Sequence, residues 1–256
     1  MGTKKLTLSV ALAVYNEEQN LGACLTSVAR IADEIIVVDG GSHDKTVAIA
    51  REHKAKVIET TNPPIFHINK QKALDVCRGH WILQLDADEV VTPELSDEIL
   101  RTIKTKAAKD AYYLPRKNYF VGRWLTKGGQ YPDYVIRLFK NGAGRFPNKS
   151  VHEQIAVTGS VGHLTQPLLH YTNRTFADYW RKADTYTSLT AAELRAANVG
   201  QGPFTLLYFV TVKPVVTFLR LYIRHKGFVD GWQGFLFAFF SGMHHAIAYI
   251  KYLRGE

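Results

Sequence analysis

Cysteine is scarce: the 256 residues hold two, Cys24 and Cys77. That count does not support a disulfide framework, and both thiols are expected as small buried hydrophobes in a reducing compartment. Acid is also in deficit. Twenty-three Asp and Glu stand against 32 Lys and Arg, for a formal net charge of +9 and a pI near 9.4. Such a surface attracts polyanions, whether nucleic acid, anionic lipid head groups or phosphorylated saccharides. No long Lys/Arg block, zinc-finger or RNA-recognition signature accompanies the charge, so nucleic acid drops out as an expected partner. Internal repeats and low-complexity tracts are lacking, as is a clean run of about twenty apolar residues. No secretory-signal pattern precedes the first strand-like segment, so the working part of the chain is expected to face the cytoplasm.

What is there reads as globular, with 46% hydrophobic and 21% charged residues, enough for a sizeable core. The first hundred residues alternate strand and helix patterns. Leu6 to Val14, Glu34 to Val38, Lys56 to Glu59 and Trp81 to Leu85 read as strands. Glu17 to Ala29, Asp44 to His53, Phe66 to Cys77 and Pro93 to Lys104 have helical spacing, the last with proline near its start. Repeated βα units imply a mainly parallel sheet covered by helices, with ligands at the carboxyl ends of its strands. From Asp110 to about Tyr171 short strand-like runs alternate with Gly and Pro turns, predicting an antiparallel extension and a long loop around Gly122 to Pro132. Phe176 to Ala197 reads as an amphipathic helix, and Pro203 to Arg254 is aromatic, apolar and basic together.

Three predicted strand ends carry polar clusters: Tyr15-Asn16-Glu17, Asp39-Gly40-Gly41-Ser42 with Asp44 and Thr46, and Asp86-Ala87-Asp88-Glu89. Singly, each has a structural explanation: Asn16, Ser42 or Asp44 can cap a helix, and the glycines can make a turn. Jointly, they converge on one edge of a parallel sheet. Asp-x-Asp there presents two carboxylates to a hard divalent cation whose shell diphosphate oxygens can complete. Asp39 is placed to accept from a nucleobase or ribose. No Gly-rich phosphate loop, the mark of many nucleotidyltransferases, occupies the first turn.

These motifs, in this order, resemble family-2 glycosyltransferases of GT-A (Rossmann-like) fold, over roughly residues 6–175. The resemblance implies a nucleotide-sugar-binding α/β domain with a mixed, mainly parallel sheet and a helical C-terminal segment. Residues 1–175 would form the catalytic domain (1–105 the nucleotide-binding part, 106–175 the acceptor part) and 176–256 the helical region. By the same resemblance Tyr15, Asn16, Glu17 and Asp39 would hold base and ribose, Asp86 the ribose and diphosphate, and Asp88 a Mg²⁺ or Mn²⁺ ion, with Asp86 and His170 nearby. Lys70 would touch the nucleotide or diphosphate, or sit exposed on its helix. Ser150-Val151-His152-Glu153 resembles a subgroup containing lipopolysaccharide core glucosyltransferases, in which Glu153 would be the general base, His152 its loop support, and Arg137 a phosphate contact or a structural ion pair.

The C-terminal region admits several readings. Its apolar segments, Phe204 to Leu219 and Phe235 to Ile250, are flanked by Arg220, Arg224, Lys226, Lys251 and Arg254, which suits helices lying on an anionic membrane. A packed helical subdomain or a homo-oligomer interface accounts for the same pattern. His244-His245 is not expected to bind metal, because adjacent helical residues diverge. The reading is thus an inverting, metal-dependent glycosyltransferase, peripheral on the cytoplasmic face of an inner membrane. It would use a UDP-sugar, UDP-glucose first, and a lipid-linked or phosphorylated saccharide such as lipopolysaccharide inner core. Transfer to a polyprenyl phosphate or to a protein or peptide side chain, and nucleotide-sugar binding without turnover, are the alternatives.

Overall fold

The computed structural model describes residues 7–63, 66–147 and 155–255. It opens with β1 (Leu8–Val14), α1 (Leu21–Val28), β2 (Glu34–Asp39), α2 (Thr46–Glu52), β3 (Lys56–Glu59), α3 (His67–Asp75) and β4 (Trp81–Leu85). These strands are parallel in the order β3-β2-β1-β4. Their side chains explain why. Along β1, Leu8, Val10, Leu12 and Val14 join one apolar cluster with Leu25 of α1, while Ala11 joins a second cluster with Leu74 of α3. In β4, Trp81, Leu83 and Leu85 join the first cluster and Ile82 the second. Period-two alternation thus feeds two cores, and strands apolar on both faces need helices on both.

The chain continues through β5 (Glu89–Val91) and α4 (Pro93–Lys104), the latter capped by Thr92, whose hydroxyl accepts from the Leu95 amide at 3.1 Å. Then come β6 (Ala111–Phe120), β7 (Arg123–Trp124), β8 (Asp133–Lys140), β9 (Gly144–Arg145), β10 (Ala156–Val157), β11 (Val161–His163) and β12 (Leu168–Asn173). β8 pairs antiparallel with β4, and the order runs on as β8-β6-β12-β5. One pairing departs from the predicted antiparallel extension: β11 runs parallel to β6.

The chain forms two compact units, residues 1–116 with 134–170, and residues 117–133 with 171–256. In the second lie α5 (Phe176–Ala196), α6 (Pro203–Leu207), α7 (Lys213–Leu219) and α8 (Gly231–Arg254). Lys213-Pro214 interrupts the apolar run from Phe204 to Leu219 but does not break the helix. A π turn at Tyr208–Val212 joins α6 to α7, and a second, Arg220–Arg224, extends it. Proline lacks an amide and crowds the carbonyl four residues back. In the wide turn Lys213 N–H donates to Tyr208 O, and this shift of the ladder lets the helix pass Pro214. By length and composition the resulting Pro203–Arg224 helix could cross a membrane, and only 11% of its most apolar stretch is buried.

Along α8 the small residues Gly234, Ala238, Gly242 and Ala246 are buried, and Gly242 is where it meets this helix. A Cβ on Gly242 would come within 2.6 Å of Pro214 O. His244 is spent on Thr190, its Nε2 lying 3.1 Å from that hydroxyl. Both cysteines are buried and free, as expected.

Candidate active site

The end of β1 and the end of β2 are laced together, which is what their motifs do locally. Ser42 Oγ accepts from the Asn16 amide at 2.8 Å, and Asn16 Oδ1 accepts from the His43 amide at 2.9 Å. Thr46 Oγ1 accepts from the Glu17 amide at 2.8 Å, and Asp44 Oδ2 from that of Glu18 at 3.1 Å. Asn16 pays for the reversal by adopting a positive φ of 53°, a region Asn tolerates better than most residues. Neither Asn16 nor Ser42 is a helix cap; α1 starts after Asn20 and α2 after Lys45, neither of which makes a side-chain cap bond, but Asp44 Oδ1 accepts from the first amide of α2, Thr46, at 2.9 Å.

Asp39 is buried, and its carboxylate holds its own turn. Oδ2 accepts from the amides of Gly41 and Ser42, each at 2.9 Å, and Oδ1 from the Ser42 hydroxyl at 2.5 Å. Gly41 sits at φ 86°, where a side chain would be strained. Tyr15, just after β1, is 41% exposed, available to a flat ligand. Glu17 Oε2 accepts from Asn20 Nδ2 at 2.7 Å.

At the end of β4 the charges concentrate. Asp86 is held between two cations: Lys70 Nζ contacts Oδ1, and Arg137 Nη2 reaches Oδ2 at 2.5 Å. Burial works to raise the Asp86 pKa, but Arg137, then Lys70, outweigh it and hold the carboxyl well below the usual carboxylate range. Lys70 is thus no exposed helix residue; it is buried on α3, with its ammonium 4.9 Å from the Phe66 ring centroid. Arg137 also donates to Gln84 Oε1 and, at 2.8 Å, to Glu89 Oε1. Fully buried Glu89 closes the turn with its other oxygen, which accepts from the Asp86 amide at 2.9 Å, and Arg116 lies 3.4 Å from Oε1. Arg137 is therefore a structural ion pair at minimum, built into the acidic turn.

His170 arrives on β12, which pairs antiparallel with β5 so that His170 faces Glu89 in register. Its Nε2 lies 3.5 Å from Asp88 Oδ1. Beneath the turn Cys24 Sγ approaches Asp86 O at 3.6 Å. Burial first, then Glu89, Asp88 and Asp86, push that thiol well above its ordinary pKa, so it is inert packing.

The structure therefore brings Lys70, Asp86, Asp88, Arg137 and His170 together, adding Gln84, Glu89 and Arg116 to the set predicted from sequence. Among the described residues no three His, Cys, Asp or Glu side chains are grouped to hold a metal unaided. Asp86 is engaged by cations, whereas Asp88 and His170 offer an oxygen and a nitrogen side by side. Two such donors fit a Mg²⁺ or Mn²⁺ ion that takes its remaining ligands from water and phosphate. Glu153 and His152 lie outside the described residues.

The arrangement, a parallel nucleotide-binding half-sheet ending in an Asp-Ala-Asp-Glu turn, is that of a GT-A glycosyltransferase. The chain belongs to glycosyltransferase family 2: the family model "Glycosyl transferase family 2" matches residues 9–163. It is 30% identical over 254 residues to the lipopolysaccharide core biosynthesis glycosyltransferase LpsC of Rhizobium meliloti, covering 93% of this chain and 91% of that one. An uncharacterized glycosyltransferase of Rickettsia felis is 28% identical over 245 residues, with 90% and 83% covered. Among solved structures, S. aureus TarS 1-349 in complex with UDP-GlcNAc matches with a TM-score of 0.53 at 15% identity, covering 98% of this chain and 93% of that one, a likeness of fold.

Proposed function

We propose that this glycosyltransferase moves a sugar from a UDP-sugar, UDP-glucose first, to a lipid-linked or phosphorylated saccharide of the lipopolysaccharide inner-core type, with inversion and with Mg²⁺ or Mn²⁺. The likeness to LpsC over nearly the whole chain supports the acceptor class, and the UDP-GlcNAc complex of TarS supports a uridine nucleotide. Two free, buried cysteines suit a reducing compartment, in keeping with action on the cytoplasmic side of the membrane.

The observation that carries the reading is the charge count at the Asp86 turn. Two of its three carboxylates, Asp86 and Glu89, are paired with Lys70, Arg116 and Arg137, while Asp88 lies against His170. Lys70 and Arg137 are thus already engaged before any ligand arrives, and the carboxylates offset much of their pull on an anionic diphosphate. A divalent ion between Asp88 and His170 supplies the missing positive charge and, when bound, stabilises the departing diphosphate. Lys70 and Arg137 keep Asp86 ionised and Glu89 fixes its backbone, while Tyr15 and Asp39 border the nucleotide. In this reading Glu153 takes the proton from the acceptor hydroxyl as it attacks the anomeric carbon.

The test is nucleoside diphosphate release from a panel of nucleotide sugars with Mn²⁺, Mg²⁺ or EDTA. Metal-dependent release from one UDP-sugar is expected, and Glu153→Gln should retain donor affinity while losing transfer. Release that ignores EDTA would refute the metal role, and unchanged transfer by Glu153→Gln would remove that residue as base.

A further inference from the structure

From Asn198 to Gly255 the chain carries six Lys or Arg and one acid, Asp230. That acid is buried, accepting from the Thr126 hydroxyl at 2.7 Å and the Lys127 amide at 2.8 Å. No carboxylate of this stretch reaches the surface. The same stretch leaves large apolar groups in the open: Val212, Val216, Leu219 and Ile223 on the Pro203–Arg224 helix are 46–57% exposed, and Trp232 on α8 is 58% exposed. Aromatic contacts join the two helices on this side, Phe235 of α8 lying 5.7 Å from both Phe218 and Tyr222. A surface of this kind exceeds the scattered apolar exposure of ordinary proteins and marks a docking site.

We infer that this face docks on an anionic lipid surface, with the Pro203–Arg224 helix and the start of α8 lying in the plane of the interface. Charge selects the occupant. Arg220 and Arg224, both exposed, each follow an exposed apolar residue by one position, about 100° round the helix, so cations border the ridge. Apolar residues facing the acyl boundary and cations among head groups are what an interfacial helix presents. A second copy meeting this face by two-fold symmetry would set cations against cations, without surface acid from the stretch to relieve them. The in-plane orientation follows from Lys213, which stands mid-helix with its ammonium 4.7 Å from the Phe209 ring. In a spanning helix that charge would sit near the bilayer centre, where it is costly.

Flotation of the full chain with vesicles of neutral phosphatidylcholine, or of phosphatidylcholine and phosphatidylglycerol at 7:3, tests the inference. Binding needs no turnover, so its failure is separate from failure of the transfer reaction. At least tenfold preference for the anionic vesicles is expected. Val216→Glu with Leu219→Glu, at exposed positions, should abolish binding while leaving the far-ultraviolet circular dichroism and donor hydrolysis unchanged. Arg220→Gln with Arg224→Gln should weaken only the anionic binding, by roughly 30-fold. Alkaline carbonate should release the bound protein; retention would mean a spanning helix and overturn the in-plane placement. Absence of vesicle binding, or binding that ignores both variant pairs, would overturn the proposal. So would a solution dimer dissolved by Val216→Glu with Leu219→Glu, which would assign the face to a second copy.

Discussion

At the scale of single residues, the site depends on Arg137 more than its motif suggests. Its guanidinium serves Asp86, Glu89 and Gln84 together, and Glu89 has no exposure of its own. Arg137→Met would leave Glu89 with Arg116 at 3.4 Å as its remaining ion pair. The expected cost is up to about 3–5 kcal/mol, because the buried Glu89 carboxylate keeps only this longer pair. Urea denaturation of Arg137→Met, Glu89→Gln and the double variant checks this: the pair should cost clearly less than the sum, whereas additivity would deny the coupling. Asp86 adds a pH dependence. Its folded pKa lies below the unfolded value of about 3.9, so its stabilisation is complete above that pH and is lost as pH falls through the folded value. Melting temperature followed from pH 6 to pH 3 should therefore fall more steeply in the wild type than in Asp86→Asn. Asp86 and Asp88 were legible in the sequence because motif and strand end coincide, whereas Lys70, inside α3, was left between a ligand contact and an exposed position. Gln84, Glu89 and Arg116 as partners were not, since Arg137 lies 48 residues from Glu89 and 53 from Gln84, and only the β4–β8 pairing and the β5 turn bring them together.

At the scale of elements, legibility follows periodicity. The four parallel strands and α4 appear where their apolar spacing and the Thr92-Pro93 start put them. β11 could not be foreseen as a parallel partner of β6, because three residues carry no directional signal. The helix continues through its proline for a reason composition does not show: Pro214 forbids a regular α-helical ladder, and the π turn before it removes the conflict. That helix is pressed against α8 at Gly242, where even a methyl group would meet the Pro214 carbonyl at 2.6 Å. Gly242→Ala should therefore lower stability by roughly 1–3 kcal/mol despite alanine's better helix propensity. Chemical denaturation decides between the two effects; a stabilised Gly242→Ala would show that the helices separate freely there.

For the whole molecule, the division into two units gives ligand binding a distinct thermal signature. Asp86, Asp88, Arg137 and His170 all belong to the unit formed by residues 1–116 and 134–170. Ligand that binds only the folded form raises stability by about 2.7 kcal/mol at one hundred times its Kd. For a unit of this size that corresponds to roughly 5–11 °C. Uridine diphosphate alone should shift the transition little, because Lys70 and Arg137 are already paired with Asp86 and Glu89. With Mn²⁺ the transition of this unit should rise by that amount, and EDTA should reverse it. Asp88→Ala should lose the manganese-dependent part, while the Lys70–Asp86–Arg137–Glu89 ion pairs keep the turn in place. Calorimetry with nucleotide and metal added separately and together tests all three statements. A full shift with nucleotide alone would mean that Lys70 and the arginines suffice to hold the diphosphate, and the charge count would then have to be read as favouring metal-independent transfer.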